Sequence, residues 1–389
     1  MSAMDTSQYE STNLQGFYSW TETLKGVYYG PGCLEKALPK LLQTLGTKKA
    51  FIVTGKSLFE KTDVVKQVES VLQKCGAHGA TFYEIGQHAP VAGIRKGLQS
   101  FKDAGADVIV TVGGGSPVDA AKAILYLHQQ ETGGPTLRQI AIPTTLSAAE
   151  YTIGAGFTND EGVKVSVSSQ ELAPAGIILD AQLTLATPER LWLSTGMRAL
   201  DHAVENLYRP LVPPPIKYLC YAAIADLFKL LPQSKVNPQA LDVRQKLQLA
   251  SWMSLWPARF EKYSALGLSH ALGHKLGAAY SIPHGITSCL TLASVVALQA
   301  EIATDEDKEW LANSLFYLRQ PSSGSVEDDI RTLSTAIQKL VDDLGLHSDL
   351  GEYKVPKEDV PKIAEKAIGS KDHPIYPKAV KLLEGLYPA

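Results

Sequence analysis

Short apolar runs alternate with amphipathic stretches through the first half of the chain. AFIVTG (50–55), TFYEIG (81–86), DVIVTV (107–112) and RQIAIPTT (138–145) are rich in β-branched or aromatic residues. The first three are each followed by apolar positions at helical spacing, so all four predict strands. SLFEKTDVVKQVESVLQKCG (57–76) carries that spacing and stops at Gly76, which predicts one helix. Repeated strand–helix–strand order predicts a parallel sheet covered by helices on both faces. YTIGAGFT (151–158) and GVKVSVSS (162–169) flank turn residues and predict a hairpin, and AGIILD (175–180) predicts a further strand.

The pattern changes after about residue 186. TPERLWLSTGMRALDHAVENLYRP opens a helical half, with further amphipathic segments near 216–231, 239–258, 264–278, 285–301, 305–316, 326–345, 357–368 and 376–387. Clusters such as LVPPP (211–215) and QPSSGS (320–325) separate them, and no strand of similar strength is predicted there. The expected fold is an α/β domain over residues 1–186 followed by an all-helical domain over 187–389, with a cleft between them as the expected site.

Composition narrows the function classes. The chain has 389 residues, 45% apolar and 20% charged, with a net charge of −3. That balance offers no general attraction to nucleic acid or to an anionic membrane, so neither is an expected partner. The polar start, MSAMDTSQYESTNLQG, predicts neither a secretory signal nor a transit peptide. Uninterrupted apolar runs stay well short of about 18 residues, so no membrane span is expected. Cys33, Cys75, Cys220 and Cys289 are scattered without a CxxC pair, which fits free thiols in the cytoplasm.

Two stretches carry candidate chemistry in the first half. In VTVGGGSPVDAAKA (110–123) a strand ends in Gly113, Gly114 and Gly115 and a helix starts at once. Ser116 is the expected N-cap, Pro117 the first helical residue, and Asp119 the end of a Ser-x-x-Asp capping box. Glycines there serve either a tight turn or the close approach of a phosphate to exposed N–H groups at a helix start. The spacing is neither GxGxxG nor a Walker A loop. In IPTTLSAAEYT (142–152), Thr144, Thr145 and Ser147 crowd hydroxyls at the end of a predicted strand, where ligands bind in open α/β sheets.

The third stretch, GLSHALGHKLGAAYSIPHG (267–285), holds His270, His274 and His284. Taken in order, GGGSPVDAAKA, PTT, TGMxALxHAxE and HxxxHxLGxxxxxPHG resemble the iron-containing (group III) alcohol dehydrogenase family, and most closely its maleylacetate reductase-like branch. QHAPV (87–91) is also similar to that branch. The resemblance implies a dinucleotide-binding first domain, a helical second domain, hydride transfer between a nicotinamide cofactor and a carbonyl or alcohol, and a homodimer. It implies that Gly113, Gly114, Gly115 and Ser116 cradle the pyrophosphate, and that Asp119, Thr144, Thr145 and Lys164 touch other parts of the cofactor.

Two departures from the family matter. NAD-using members carry an acidic residue after the first strand; here FIVTGKSL places Gly55 there, with Lys56 and Ser57 beside it. Glycine leaves room for a 2′-phosphate and Lys56 can pair with it, so NADPH is expected, with NADH the other possibility. Metal-dependent members place an aspartate four residues before a histidine; here His202 is preceded at that spacing by Arg198. A guanidinium cannot ligate a metal. His202, His270 and His284 are the ligands the resemblance implies if a metal is held. The expectation is a metal-free enzyme in which Arg198 polarises the substrate oxygen and a histidine (His274, His270 or His202) donates the proton. Arg198 can equally form a salt bridge with Asp201 or Glu205. Arg259 can bind a substrate carboxylate or be a surface charge. Trp252, Trp256 and Tyr280 read as core, with an aromatic substrate pocket as the alternative. Two other functions stay open: a metal-dependent alcohol dehydrogenase, and a lyase resembling 3-dehydroquinate synthase.

Overall fold

A computed structural model describes residues 18–86, 91–158, 164–256, 258–260 and 264–388. QHAPV therefore lies, except for Val91, outside the described residues. In chain order the first half contains β1 (Tyr18–Trp20), β2 (Gly26–Tyr29), α1 (Leu34–Leu45), β3 (Ala50–Gly55), α2 (Lys56–Lys61), α3 (Val64–Lys74), β4 (His78–Ile85), α4 (Val91–Ala104), β5 (Val108–Gly113), α5 (Gly115–Thr132), β6 (Arg138–Pro143), β7 (Gly154–Thr158), β8 (Lys164–Ser168) and β9 (Gly176–Leu179). Six strands form one sheet in the order β2-β9-β6-β5-β3-β4, every pair parallel. β7 and β8 form the predicted hairpin.

Alternation along the strands explains the two-sided covering. Ile52, Val110 and Ile140 point to one face, against Leu38 and Leu41 of α1 and Val65 and Val68 of α3. Phe51, Val53 and Ile109 point to the other, against Ile94, Leu98 and Phe101 of α4 and Ile124 of α5. The strand order reverses between β3 and β5, which are direct neighbours (Thr54 opposite Val112). Ligands in such sheets bind beyond the strand ends at that reversal. Gly55 and Gly113 close those two strands, and Pro143 pairs with Gly113 on the other side.

Several elements differ from expectation. The helix predicted over 57–76 is two helices, because Thr62 is extended and its hydroxyl bonds back to Leu58 O (2.6 Å). Such a side chain competes with the helical backbone. β2 was not predicted: it is four residues long, at the sheet edge, and leaves Tyr29 exposed. The helix after the glycines starts two residues earlier than expected. Gly114 is its N-cap without a side-chain bond, so Ser116 lies inside the first turn and the Ser-x-x-Asp box does not form.

The second half contains α6 (Glu189–Tyr208), α7 (Pro214–Val236), α8 (Leu241–Ser254), β10 (Ala258–Phe260), α9 (Leu268–Tyr280), α10 (His284–Ile302), α11 (Asp305–Ala312), α12 (Ser314–Tyr317), α13 (Val326–Asp343), α14 (Val360–Ile368) and α15 (Tyr376–Glu384). β10 is a strand within the half expected to be helical, and it pairs antiparallel with β1. α6 is central, buried without a break from Trp192 to Leu207. α10 is long and apolar enough to cross a membrane by length and composition, although polar residues interrupt its apolar run. Most of it is buried among the other helices, as Leu292, Val295 and Val296 show. It is a core helix.

Candidate active site

The glycine-rich loop and the hydroxyl-rich turn, separated in sequence, meet at the end of the sheet. Gly113 has φ +139°, a conformation that an L side chain rarely adopts. A Cβ on Gly114 would lie 3.1 Å from Thr145 Cγ2, and one on Gly115 would lie 3.4 Å from Ser147 Oγ. Thr144 N donates to Gly113 O (2.9 Å), and Thr145 Oγ1 donates to Ser147 Oγ (3.2 Å). The N-terminal N–H groups of α5, an 18-residue helix, thus open beside two hydroxyls. This cradle, which any side chain on Gly114 or Gly115 would crowd, fits a pyrophosphate. Ser116 and Asp119 lie in the first turns of α5, half-buried. Gly55 caps α2 in an extended conformation, and a Cβ there would meet nothing within 4 Å. Lys56 and Ser57 are exposed, and Lys56 Nζ pairs with Glu60 at 3.7 Å. Lys164 opens β8 and Arg259 lies in β10; their side chains fall outside what the structure describes.

The turn after β6 is held by the helical half. Thr195 Oγ1 accepts from Leu146 N (3.1 Å), Ser251 Oγ donates to Leu146 O (3.1 Å), and Thr187 Oγ1 donates to Thr144 O (2.7 Å). The glycine-rich cradle and the helical half therefore share one segment of backbone.

On α6, Arg198, Asp201, His202 and Glu205 follow helical spacing and share one face. All four are buried, so each needs a partner. Arg198 Nη1 lies 3.6 Å from Asp201 Oδ2 and donates to Ser288 Oγ of α10 (3.2 Å). Ser288 donates in turn to Asp201 Oδ2 (2.5 Å), as does Ser269 of α9 (3.0 Å). Glu205 accepts from Ser269 N (2.8 Å) and Tyr208 Oη (2.9 Å). The ring nitrogen Nδ1 of His270 is 2.7 Å from Glu205 Oε2 and 3.3 Å from Asp201 Oδ1. Facing two carboxylates, Nδ1 carries a proton. Nε2 of His270 is buried with no hydrogen-bond partner among the described residues. Room for the guanidinium comes from α9: a Cβ on Gly273 would lie 3.7 Å from Arg198 Nη1 and 2.7 Å from Thr287 Oγ1.

Electrostatics divide the histidines. Burial pushes His202 well below the ordinary imidazole range, and His270 and Arg198 push it further, so His202 is neutral. Burial and Arg198 also oppose charge on His270, but Asp201 and Glu205 outweigh them and raise its pKa. Burial opposes charge on Asp201, yet His270, Arg198 and Ser288 bring its pKa down. Burial lowers the pKa of Arg198, against Asp201 and Glu205; a guanidinium stays charged. Two cations and two carboxylates thus balance inside the core. The rings form a row: His202 to His270 4.6 Å between centroids, His270 to His274 6.4 Å, and His274 to His284 5.5 Å. His274 is exposed and His284 half-buried.

Asp201, Glu205 and His270 also offer ligand atoms within 4.8 Å of one another, which tests whether a metal fits. His202, His270 and His284 do not make such a group among the described residues. The carboxylates are already engaged by Ser269, Ser288 and Tyr208, the shared imidazole nitrogen carries a proton, and a guanidinium stands 3.6 Å away. As arranged, this donor set does not fit a divalent cation. Tyr280 donates its hydroxyl to Asp359 (2.6 Å). Trp252 and Trp256 pack on each other at the end of α8 (3.7 Å between centroids).

Ser269 and Ser288 are members of this network that sequence patterning does not single out. Their contacts exist only once α6, α9 and α10 are packed.

The chain matches two family models, iron-containing alcohol dehydrogenase over residues 25–181 and the C-terminal part of the Fe-containing alcohol dehydrogenase family over residues 192–382. It is 30% identical over 356 residues to 1,3-propanediol dehydrogenase of Klebsiella pneumoniae, covering 88% of this chain and 90% of the relative. It is 29% identical over 281 residues to maleylacetate reductase 2 of Cupriavidus pinatubonensis, covering 72% and 73%. The crystal structure of a 1,3-propanediol oxidoreductase superposes with a TM-score of 0.85 at 27% identity, covering 96% of this chain and all of that one. Together with the glycine cradle and the ordered motifs, these matches make the chain an oxidoreductase that belongs to the iron-containing alcohol dehydrogenase family, in its maleylacetate reductase-like branch.

Proposed function

We propose that this enzyme reduces a carbonyl compound (an oxo-acid, aldehyde or ketone, maleylacetate-like in kind) and does so without a metal. One observation carries the reading: Arg198 is buried where metal-dependent relatives are expected to have aspartate, and sits beside a carboxylate-backed His270. The nicotinamide cofactor, when bound, supplies the hydride that goes to the carbonyl carbon. Arg198 stabilises the negative charge that develops on the oxygen. His270 gives that oxygen its proton from Nε2, while Nδ1 stays bonded to Glu205. His202, held neutral, is a poor proton source, and exposed His274 is the alternative donor. The net change is one hydride and one proton added to the carbonyl.

A carbonyl panel assayed with NADPH, with and without a chelator, tests this. Turnover is expected to be unchanged by the chelator, with no stoichiometric metal in the purified protein. Activity lost on chelation and restored by iron or zinc would favour a metal-dependent alcohol dehydrogenase instead. Absence of net NADPH consumption with every carbonyl would favour the lyase.

Gly55 supports a preference for NADPH, with NADH the weaker cofactor, because the space where an acidic side chain would stand is open. The pair between Lys56 and Glu60 is exposed and contributes at most about 1 kcal/mol, so Lys56 is available to a phosphate. Gly55→Asp is expected to raise the KM for NADPH by about tenfold or more and to lower the ratio of NADPH to NADH use. An unchanged ratio rejects this assignment. The proposal includes a homodimer, measurable by light scattering, and a cytoplasmic setting consistent with the four free cysteines.

A further inference from the structure

The helix that carries His270 has no capping side chain of its own. Its N-cap is Gly267, and the first-turn N–H groups of Ser269 and His270 are taken instead by the Glu205 carboxylate, at 2.8 and 3.4 Å. Helix-start N–H groups need an acceptor, and a carboxylate from a neighbouring helix can serve in place of the usual capping residue. The same carboxylate holds Nδ1 of His270 at 2.7 Å. One group therefore sets both the start of α9 and the orientation of the ring. The approach is close: a Cβ on Gly267 would lie 2.7 Å from Glu205 Oε1 and 2.9 Å from Tyr208 Cε2. The chain entering α9 must consequently arrive at one place on the end of α6.

Arg209, the C-cap of α6 and one turn beyond Glu205, fixes that place. Its Nε donates to Ser264 O (3.0 Å), and its Nη2 donates to the same oxygen. Two donors of one planar guanidinium on one carbonyl fix direction as well as distance. Ser264 Oγ accepts from Nε (3.2 Å) and donates in turn to Pro210 O (2.5 Å). The turn that presents Pro210 O is itself strained: Leu211 stands at φ +67°. Such a conformation in a non-glycine residue persists where its surroundings over-determine it. Asn206, one turn back, donates from Nδ2 to Ser254 O (3.0 Å) at the end of α8 and accepts from Arg209 Nη1 (3.3 Å). The connection between α8 and α9 is thus gripped at Ser254 and at Ser264 by one bonded pair on the last turn of α6.

We propose that Arg209 is a positioning residue for His270: by clasping Ser264 it fixes where α9 starts, so that the imidazole keeps its bond to Glu205 and presents Nε2 to the substrate oxygen. This role rests on His270 being the proton donor. Arg209 acts through α9 and not on the substrate.

The test compares Arg209→Met, Arg209→Lys, Ser264→Ala, His270→Gln and the double variant of Arg209→Met with His270→Gln against the unaltered full chain, by carbonyl reduction at saturating NADPH, fluorescence titration with NADPH and urea unfolding. Arg209→Met is expected to lower kcat by about tenfold or more, since small displacements of a reacting group are expensive. The Kd for NADPH stays within about twofold, because Thr195, which holds the turn beside the glycine loop, lies about 20 Å back along α6. Arg209→Lys keeps a donor for the Ser264 carbonyl and recovers part of the lost kcat. Ser264→Ala keeps the carbonyl contact, loses the hydroxyl bonds and lowers kcat by a smaller factor. In the His270→Gln background, Arg209→Met lowers kcat no further, because the group it positions is gone. A further loss there as large as in the parent, or a lower urea midpoint with kcat unchanged, makes Arg209 merely structural and overturns the proposal. If Arg209→Met does not fold, Ser264→Ala decides, and an unaltered kcat in it overturns the proposal. Parental turnover in His270→Gln refutes the donor assignment and this role with it. A large loss in His270→Gln beside an unaltered Arg209→Met overturns the clasp and leaves the donor assignment standing.

Discussion

Replacing Arg198 with Ala is expected to lower kcat for carbonyl reduction by about two to three orders of magnitude, the effect of removing one donor from a developing oxyanion. The geometry adds a second consequence, for folding. In the structure the guanidinium neutralises Asp201 and bonds Ser288 inside the core, and its loss leaves a carboxylate poorly compensated. Breaking a buried pair by removing one partner costs about 3 kcal/mol or more. The variant is therefore expected to unfold at lower urea as well as to turn over slowly. Arg198→Lys separates the two effects: it keeps the charge and loses the fork of donors, so stability recovers further than kcat does. Turnover that survives in Arg198→Ala at a urea concentration where the protein is still folded rejects the electrostatic role.

The second large effect is expected from His270→Gln. This change keeps a donor toward Glu205 but removes the group that releases a proton, so kcat falls by about two to four orders of magnitude. The pH profile gives the sharper readout. With its pKa raised by Asp201 and Glu205, His270 is protonated on the acid side of a value above the ordinary 6.5. Reduction in the parent is therefore flat at low pH and falls as pH rises through that raised value. The same sign holds for folding: a raised pKa stabilises below the unfolded value, and that contribution disappears as pH rises through the folded one. In the variant the alkaline fall is absent from kcat. A variant with the parental profile moves proton donation to another member of the histidine row.

Much of this was legible before any coordinates. Phe51, Ile52 and Val53, and Ile109 and Val110, are runs that only a strand covered on both faces accommodates, and they announce the parallel sheet. Gly113 to Gly115 mark the loop because no other residue type allows so close an approach. Arg198 and His202 share a face by spacing alone. The partners of Arg198 across the helices were not legible, because Ser269 and Ser288 are ordinary hydroxyls until three helices converge on them. Arg209 looks like one more charge at a helix end, and pattern cannot tell a solvated guanidinium from one that clasps a neighbouring segment. β10 and β2 are too short to stand out from their surroundings.

The backbone from Pro143 to Ser147 is bonded from two directions, by the strand neighbours of β6 and by Thr187, Thr195 and Ser251 of the helical half. The two halves cannot swing apart without disturbing the backbone shelf beside the glycine loop. Movement of one half against the other and the shape of that shelf are consequently one mechanical problem seen from two sides.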